Sequence, residues 1–297
     1  MGSQLRHIVA SMRPQQWIKN FFVFAPLVFA GHLFYRDDLQ LTIVGFFLFS
    51  LLASGVYIFN DLADLEKDKL HPLKSHRPLP AGKLSVGAAR AASALLIGGS
   101  VAVAFTLSAG FGAALALYAI LNILYSLKLK DVVILDVMTI SAGFVLRVVS
   151  GALLIQVGAS EWLIICTVLL SLFLGFSKRR HEITVLESHA SEHREVLQHY
   201  SPYFLDQMIG IVTASTVMSY ALYTISEETV KKFGTNHLIY TVPFVLYGIF
   251  RYLYLVHKKV EGGNPTKIAL TDRPLLANIL LWIVAVSFII YKGQYDG

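Results

Sequence analysis

The stretch "LTIVGFFLFSLLASGVYIFNDLADLEKD", residues 41–68, decides the fold of this 297-residue chain. Residues 41–60 carry no charge, and about 20 apolar residues in a helix cross the hydrocarbon core of a bilayer. Four carboxylates follow within nine positions, and the next fourteen residues, "KLHPLKSHRPLPAG", hold five basic side chains. The chain therefore leaves an apolar layer through a densely charged segment.

The composition of the whole chain is that of a membrane protein. Hydrophobic residues make up 55% of the sequence and charged residues 15%, whereas about a quarter of the residues in a soluble domain are charged. We therefore predict an all-α polytopic protein, embedded in the lipid bilayer as a single domain over residues 1–297. The nine predicted transmembrane helices cover residues 17–34, 41–60, 85–107, 110–126, 132–154, 161–177, 203–225, 237–256 and 274–291.

The basic residues predict the orientation. With these spans, seventeen Lys and Arg residues fall on the side of the N-terminus and four on the other side. Cytoplasmic loops carry an excess of Lys and Arg, so we expect a cytoplasmic N-terminus in an inner (plasma) membrane. The same bias explains the net charge of +6 without a nucleic-acid partner. Chemistry is expected on this cytoplasmic face, in polar segments at about 61–84, 127–131, 178–202 and 257–273.

The charged segment predicts a metal-assisted anion site. Asn60, Asp64 and Asp68 recur at every fourth position and form one polar stripe, about 12 Å long, on a helix, with Asp61 beside it. Such oxygens suit Mg²⁺, which takes one or two carboxylates and leaves other positions to substrate phosphates. The basic residues that can neutralise a departing diphosphate are Lys67, Lys74 and Arg77. The alternative is a solvated helix end.

The stretch "NDLADLEKD", residues 60–68, resembles the N-D-x-x-D-x-x-x-D motif of the UbiA superfamily of intramembrane prenyltransferases. The nine spans and a second polar loop after span 6 extend the resemblance over the chain. It implies a helical bundle with a cavity open to the cytoplasmic face and a side opening for a polyprenyl chain. It also implies that Asn60, Asp61, Asp64 and Asp68 hold a diphosphate through Mg²⁺.

The chain departs from that family's pattern after span 6. Ordinary members carry a second acidic motif, D-x-x-x-D, where this chain has "SKRRHE", residues 177–182. Cations in place of carboxylates favour an anion site, which suits a substrate with an additional phosphate. Together with "MRPQQWIKN" (12–20), "YSLKLKD" (125–131), "HPLKSHRPLPAG" (71–82) and "NPTKIALTDRPLL" (264–276), this stretch resembles the superfamily branch that transfers phosphoribose to decaprenyl phosphate for cell-wall arabinan synthesis.

That resemblance implies a Mg²⁺-dependent phosphoribosyltransferase. It would move 5-phosphoribose from 5-phosphoribosyl-1-diphosphate to a polyprenyl phosphate and release diphosphate. Asp61, Asp64 and Asp68 are the expected catalytic residues, with metal ligands Asn60, Asp64 and Asp68. The donor is expected to contact Asn60, Asp61, Lys67, Lys74, Arg77, Lys178, Arg179 and Glu182. The lipid phosphate is expected to contact Arg13, Lys19, Tyr125, Lys128 and Arg147, and these two phosphate assignments could be exchanged.

Three questions stay open at this point. Arg147, midway through span 5, is either a phosphate ligand deep in a cavity or one half of an ion pair between two helices. The first alternative function is prenyl transfer from a diphosphate to an aromatic acceptor, which predicts a second acidic cluster. The second is a transporter without chemistry, which predicts charges distributed through the bilayer. The pattern is also compatible with a homo-oligomer.

Overall fold

The computed structural model describes residues 2–71, 74–186, 195–258 and 265–295, and all its regular elements in these ranges are helices. The chain divides into two compact units, Met1–Ala159 and Ser160–Gly297, and the single domain over the whole chain stays a prediction. Parts of the predicted polar segments, namely 72–73, 187–194 and 259–264, lie outside the described residues.

Unit 1 contains seven α-helices. They are α1 Gly2–Ser11, α2 Ala25–Phe29, α3 Arg36–Ala63, α4 Leu65–Leu70, α5 Val86–Leu107, α6 Ala109–Leu127 and α7 Leu135–Leu154. Two 3-10 helices, Pro14–Phe24 and Leu129–Asp131, complete the unit. The long helix α3 packs against α5, α6, α7 and the first 3-10 helix, so the charged end of α3 has neighbours on several sides.

Unit 2 contains six α-helices and two 3-10 turns. The α-helices are α8 Glu161–Leu186, α9 Pro202–Ile225, α10 Glu227–Phe233, α11 Val242–Lys258, α12 Pro265–Thr271 and α13 Arg273–Tyr295. The 3-10 turns are Glu195–His199 and His237–Thr241. Asp272 fixes the start of α13: its Oδ1 accepts from the Leu275 N–H at 3.0 Å, and its carboxylate binds Arg251 through two nitrogens at 3.1 and 2.8 Å.

Serine caps explain where four helices begin. The side chains of Ser85, Ser108, Ser201 and Ser226 each accept a hydrogen bond from the backbone N–H three residues ahead. Such caps satisfy one of the N–H groups that a helix start leaves unpaired, and each contributes about 1 kcal/mol. The sequence therefore sets the helix boundaries around the apolar spans with local polar contacts.

Eight helices of the described residues are long and apolar enough to cross a membrane, and they correspond to eight of the nine predicted spans. The first predicted span, 17–34, is built differently, as the Pro14–Phe24 3-10 helix followed by the short α2. Runs of 3-10 helix longer than about four residues are uncommon. Because a 3-10 helix rises about 2.0 Å per residue, this pair still has a contour length of about 30 Å, close to that of a hydrocarbon core.

A glycine allows the first 3-10 helix to lie against α7. A Cβ atom on Gly151 would come within 2.1 Å of the Val23 carbonyl oxygen, far inside van der Waals contact. Small residues let helix backbones approach closely in membrane proteins. Gly151 thus sets the distance between α7 and the 3-10 helix.

Replacing Gly151 should therefore destabilise the folded protein. We expect Gly151→Ala to cost about 1–3 kcal/mol, as overpacking does, because backbone rather than a flexible side chain has to move. The thermal midpoint of purified protein in detergent measures this cost. Gly98→Ala is the matched control, since nothing lies within 4 Å of its added Cβ, and an equal effect of both changes would contradict the assignment.

Candidate active site

The predicted acidic stripe lies where α3 ends and α4 begins. Asp64 joins the two helices with φ −97° and ψ 9°. The Asp64 N–H still donates to the Asn60 carbonyl at 3.0 Å, and the Asp68 N–H donates to the Asp64 carbonyl at 2.8 Å. The spacing of a helical face is therefore kept across the junction, although the stripe is shared by two helices rather than one continuous helix.

One guanidinium group joins two of the acids. Arg77 Nη1 lies 3.0 Å from Asp61 Oδ1 and 2.9 Å from Asp68 Oδ2. Asp61 and Asp68 are almost completely buried, with 2% and 1% of their surface exposed. Removing a carboxylate from water costs several kcal/mol unless the group is paired. Arg77 offsets that cost for both acids at once and holds them on the same side of the helix end.

Three further cations reach the acids from other parts of unit 1. The pairs are Arg13 with Asp61, Lys130 with Asp64 and, at 3.1 Å, Lys74 with Asp68. The cluster therefore contains four cations and three carboxylates, an excess of one positive charge. The other predicted cation of this stretch, Lys67, is exposed and makes no ion pair in the part of the chain that the structure describes.

Arg13 reaches the cluster because of an unusual turn in the backbone. Its φ of 53° and ψ of 61° place it in the left-handed region, which residues with a Cβ seldom adopt. This conformation ends α1 and turns the chain into the 3-10 helix that begins at Pro14. The guanidinium carbon also lies 5.2 Å from the centre of the Tyr57 ring, one helical turn before Asp61.

From there the 3-10 helix runs beside α3 in the opposite direction. Trp17 Nε1 donates to Ser54 Oγ at 3.0 Å, and Asn20 Nδ2 donates to Ser50 Oγ at 2.9 Å. A 3-10 helix has three residues per turn, so positions 17 and 20 lie one above the other. This period of three, rather than the 3.6-residue period of an α-helix as predicted over 17–34, aligns the segment with α3.

Lys130 is a residue of the cluster that the sequence analysis did not assign. It lies in the 3-10 turn after α6, buried against the Asp64 carboxylate. Ser126, near the end of α6, donates to Asn60 Oδ1 at 3.0 Å. The end of α6 therefore contacts the acidic stripe at two points, through Asn60 and through Asp64.

Two residues predicted to bind the lipid phosphate lie near this contact. Lys128 is exposed, and Tyr125 is half-buried on α6. Lys128 and Lys130 are separated by one residue and have the same hydropathy, so the sequence alone does not indicate which of them contacts the acidic stripe. The turn that follows Leu127 sends the second lysine, Lys130, inward and leaves the first at the surface.

The oxygens of the cluster fit a metal ion that is shared with a phosphate group. In the described ranges no three His, Cys, Asp or Glu side chains are arranged as a complete metal site. Mg²⁺ bound with a substrate phosphate needs only one or two protein carboxylates, and Asp64 and Asp68 lie on one face with Asn60. The residues therefore fit Mg²⁺ bound with a phosphate, and do not fit a cation enclosed by protein ligands alone.

Lys19 and Arg147 lie beyond the acidic stripe, where the 3-10 helix meets α7. Arg147 Nε donates to Asn20 Oδ1 at 2.8 Å, and Asn20 follows Lys19 in the chain. Two of the five residues predicted for the lipid phosphate, Lys19 and Arg147, are thus connected through Asn20. The ion pair expected as one alternative for Arg147 is not formed within the described residues, because its hydrogen-bond partners are neutral.

The basic residues after the sixth predicted span belong to unit 2. Arg179 is buried, and its Nη1 lies 2.5 Å from Glu182 Oε2, while Lys178 Nζ lies 3.7 Å from Glu182 Oε1. Arg180 pairs with Asp206 on α9, with 2.9 Å between Nε and Oδ1. Glu182 therefore lies between two of the residues that the sequence analysis assigned to the donor, and Arg180 connects α8 to α9.

Comparisons with known proteins identify the family. The sequence profile of the UbiA prenyltransferase family matches residues 21–181. A decaprenyl-phosphate phosphoribosyltransferase from Corynebacterium glutamicum is 31% identical over 290 residues, which are 96% of this chain and 86% of that protein. A protein of the same name from Mycolicibacterium smegmatis is 30% identical over 295 residues, 96% of this chain and 92% of that protein.

The fold agrees with this relationship. A UbiA homologue from Archaeoglobus fulgidus, solved with GPP and Mg²⁺, superposes with a TM-score of 0.73 at 18% identity, over 96% of this chain and 99% of that one. The eight apolar helices and this likeness make the protein a multi-pass membrane protein with the UbiA fold. The chain belongs to the UbiA prenyltransferase family.

Proposed function

We propose that the protein transfers 5-phosphoribose from 5-phosphoribosyl-1-diphosphate to a polyprenyl phosphate, with release of diphosphate. The observation that carries the proposal is the buried cluster at the end of α3, in which the carboxylates of Asp61, Asp64 and Asp68 alternate with cations. The names of the relatives from Corynebacterium and Mycolicibacterium support the same reaction.

The cluster is suited to the diphosphate of the donor. Arg77 and Lys74 contact the Asp68 carboxylate, and Lys130 contacts the Asp64 carboxylate. Each cation therefore already touches a residue that is proposed to bind the metal. When a diphosphate binds, these cations can exchange a carboxylate for a phosphate oxygen without moving far. They then stabilise the negative charge that develops on the leaving group.

Asn60, Asp64 and Asp68 are the residues proposed to hold Mg²⁺. A bound Mg²⁺ would neutralise part of the diphosphate charge and orient the leaving oxygen. The single excess positive charge of the cluster supplements a divalent cation, and together they offset the charge of a diphosphate ester. Ser126, which donates to Asn60 Oδ1 at 3.0 Å, keeps that amide oxygen turned toward α6.

The reaction needs positioning more than proton transfer. The bond between ribose C1 and the diphosphate oxygen breaks, and the diphosphate leaves with the electron pair while C1 gains oxocarbenium character. An oxygen of the lipid phosphate then forms the new bond to C1. A phosphate monoester is already anionic at neutral pH, so no strong general base is required, and the cluster acts through electrostatics and orientation.

The donor also carries a 5-phosphate, and the acceptor carries a phosphate of its own. Lys178 and Arg179, with Glu182 near the ribose hydroxyls, are proposed for the 5-phosphate. Arg13 and Lys19 are proposed for the lipid phosphate, with the order of these two assignments open to exchange. The donor would enter from the cytoplasm, which agrees with the positive-inside bias of the sequence and with an inner-membrane location.

A UbiA-type prenyl transfer to an aromatic acceptor is the competing activity, because the family takes its name from prenyl transfer. That activity would require a second acidic cluster after the sixth predicted span. In the described part of α8, residues 161–186, Lys178, Arg179 and Arg180 occupy that stretch, and Glu182 is paired with Arg179. These cations favour a donor that carries a further phosphate group in addition to its diphosphate.

Transfer of label distinguishes the two activities. Purified protein with Mg²⁺ and radiolabelled 5-phosphoribosyl-1-diphosphate should move label into the organic phase when polyprenyl phosphate is added. Polyprenyl diphosphate with 4-hydroxybenzoate should give no prenylated product. Prenylation of the aromatic acid, with no label in the lipid, would overturn the proposal.

Removing one carboxylate of the stripe should abolish turnover. Asp64→Asn keeps the size of the side chain but removes the charge that Lys130 and Mg²⁺ require, so we expect kcat to fall at least about 100-fold. Glu66→Gln is the matched control, because Glu66 is exposed and pairs with Lys69 at 2.7 Å. Near-wild-type activity of Asp64→Asn at normal expression would remove the metal assignment.

The two lysines of the loop after α6 should differ in their effect on stability. Lys130→Met leaves the Asp64 carboxylate without its buried partner, and breaking a buried pair costs about 3–5 kcal/mol. Lys128→Met changes an exposed side chain and should stay within about 0.5 kcal/mol of wild type. Thermal midpoints in detergent measure both, and equal midpoints would contradict the inward position of Lys130.

A further inference from the structure

Arg147 is a buried cation whose partners are all neutral. It is 4% exposed, and three of its nitrogens donate hydrogen bonds. Nε donates to Asn20 Oδ1 at 2.8 Å, Nη1 to the Gly143 carbonyl at 2.7 Å and Nη2 to the Tyr118 hydroxyl at 2.8 Å. These bonds fix the plane of the guanidinium group but do not cancel its charge.

Aromatic rings complete the surroundings of this group. The guanidinium carbon lies 4.8 Å from the ring centre of Tyr118, 5.1 Å from that of Phe49 and 5.2 Å from that of Phe144. A cation over a ring face is attracted by the ring, and more strongly when both are desolvated. The enclosure therefore stabilises the charge in place while leaving almost no surface of Arg147 for direct contact with a ligand.

Asn20 connects Arg147 to the 3-10 helix. Its amide is buried, donates to Ser50 Oγ on α3 at 2.9 Å and accepts from Arg147 on α7 at 2.8 Å. Both ends of the amide are therefore used, one on each neighbouring helix. Because the segment is a 3-10 helix, the preceding residue, Lys19, points about 120° away around its axis, and its direction is set by the same two bonds.

Lys19 is the group that this arrangement leaves available. It is partly exposed, and within the described ranges it forms no hydrogen bond or ion pair. Its neighbour in the chain, Asn20, binds the buried guanidinium group of Arg147, so the fixed charge nearby is positive. A partly buried ammonium group near a second cation is costly unless an anion compensates it. The local charge therefore favours an anionic ligand at Lys19.

We propose that Arg147 is a positioning residue for a phosphomonoester site at Lys19: it orients the 3-10 helix through Asn20 and adds a fixed positive charge to the site. The inference rests on the proposed function, which supplies two such ligands, the lipid phosphate and the 5-phosphate of the donor. Asn20 pairs with Ser50, about 16 Å along α3 from Asp61, so the contact between Arg147 and Asn20 lies outside the acidic stripe.

Asn20→Asp tests the charge without removing the hydrogen bond from Arg147. Its carboxylate can still accept from Arg147, and the Ser50 hydroxyl can donate to it instead of accepting from the amide. The ion pair with Arg147 cancels the positive charge, so the fold should be kept or stabilised. We expect the KM for one phosphate-bearing substrate to rise about tenfold or more, with the other KM and the thermal midpoint little changed. Gln15→Glu is the matched control, because it adds the same charge on an exposed face of the 3-10 helix.

The substrate whose KM rises identifies the ligand of the site. A higher KM for polyprenyl phosphate assigns the site to the acceptor, and a higher KM for 5-phosphoribosyl-1-diphosphate assigns it to the 5-phosphate of the donor. Lys19→Met, which removes a side chain without a partner, should raise the same KM. Unchanged KM values for both substrates in Asn20→Asp and Lys19→Met would overturn the proposal.

A double-substitution cycle tests whether Arg147 acts through Lys19. Arg147→Met should raise the same KM in the wild-type background and have little effect in Lys19→Met, because coupled residues are not additive. Arg147→Lys should recover part of the affinity, since the charge remains. A purely structural Arg147 would lower the thermal midpoint equally in both backgrounds without moving either KM, and that result would also overturn the proposal.

Failure of the proposed function would be seen separately. If the wild-type protein transfers no label, the transferase assignment fails, but the site can still be tested by binding. Inorganic phosphate, polyprenyl phosphate and 5-phosphoribosyl-1-diphosphate are then compared as stabilisers of the thermal midpoint. Stabilisation by one of them that Asn20→Asp abolishes supports the site, and stabilisation that is equal in both proteins, or absent from both, rejects it.

Discussion

The pairing of the Pro14–Phe24 3-10 helix with α3 determines where Arg13, Lys19 and Asn20 lie in unit 1. Arg13 is held against Asp61 at one end of the contact, and Asn20 is held between Ser50 and Arg147 at the other. Gly151 allows the segment to approach α7 closely enough for these bonds. Without this pairing, Arg13 and Asn20 would not be held at these contacts.

Charge balance in a region of low dielectric constant explains the composition of the acidic cluster. Asp61 and Asp68 are buried, and each is paired with more than one cation. Buried charges are tolerated only when paired and hydrogen-bonded. A set of opposite charges that is nearly neutral as a whole can accept a metal and a diphosphate together, because that addition is itself nearly neutral. The cluster is therefore stable as a fold element and suited to an anionic ligand.

Periodicity and hydropathy predicted most of the helices and the acidic stripe. The spacing of Asn60, Asp64 and Asp68 was sufficient because the backbone hydrogen bonds continue through the junction at Asp64. The 3-10 helix was missed, since an apolar run of this length has the same composition in either helix type. Lys130 was missed because a turn, not a pattern, turns it inward. The hydrogen-bond partners of Arg147 are a hydroxyl, an amide and a carbonyl, which leave no charge signature in the sequence.

The three-residue turn of the Pro14–Phe24 segment restricts how its length can vary. Inserting one residue ahead of Ile18 would rotate the remainder of the segment by about 120°. Lys19 would then occupy the present position of Asn20, and Ile18 would occupy that of Lys19. Adding or removing three residues would keep the direction of every side chain but shift the remainder of the segment by about 6 Å along its axis. Asn20 would then lie one turn away from Ser50 and Arg147. The segment therefore depends on both its exact length and its three-residue period.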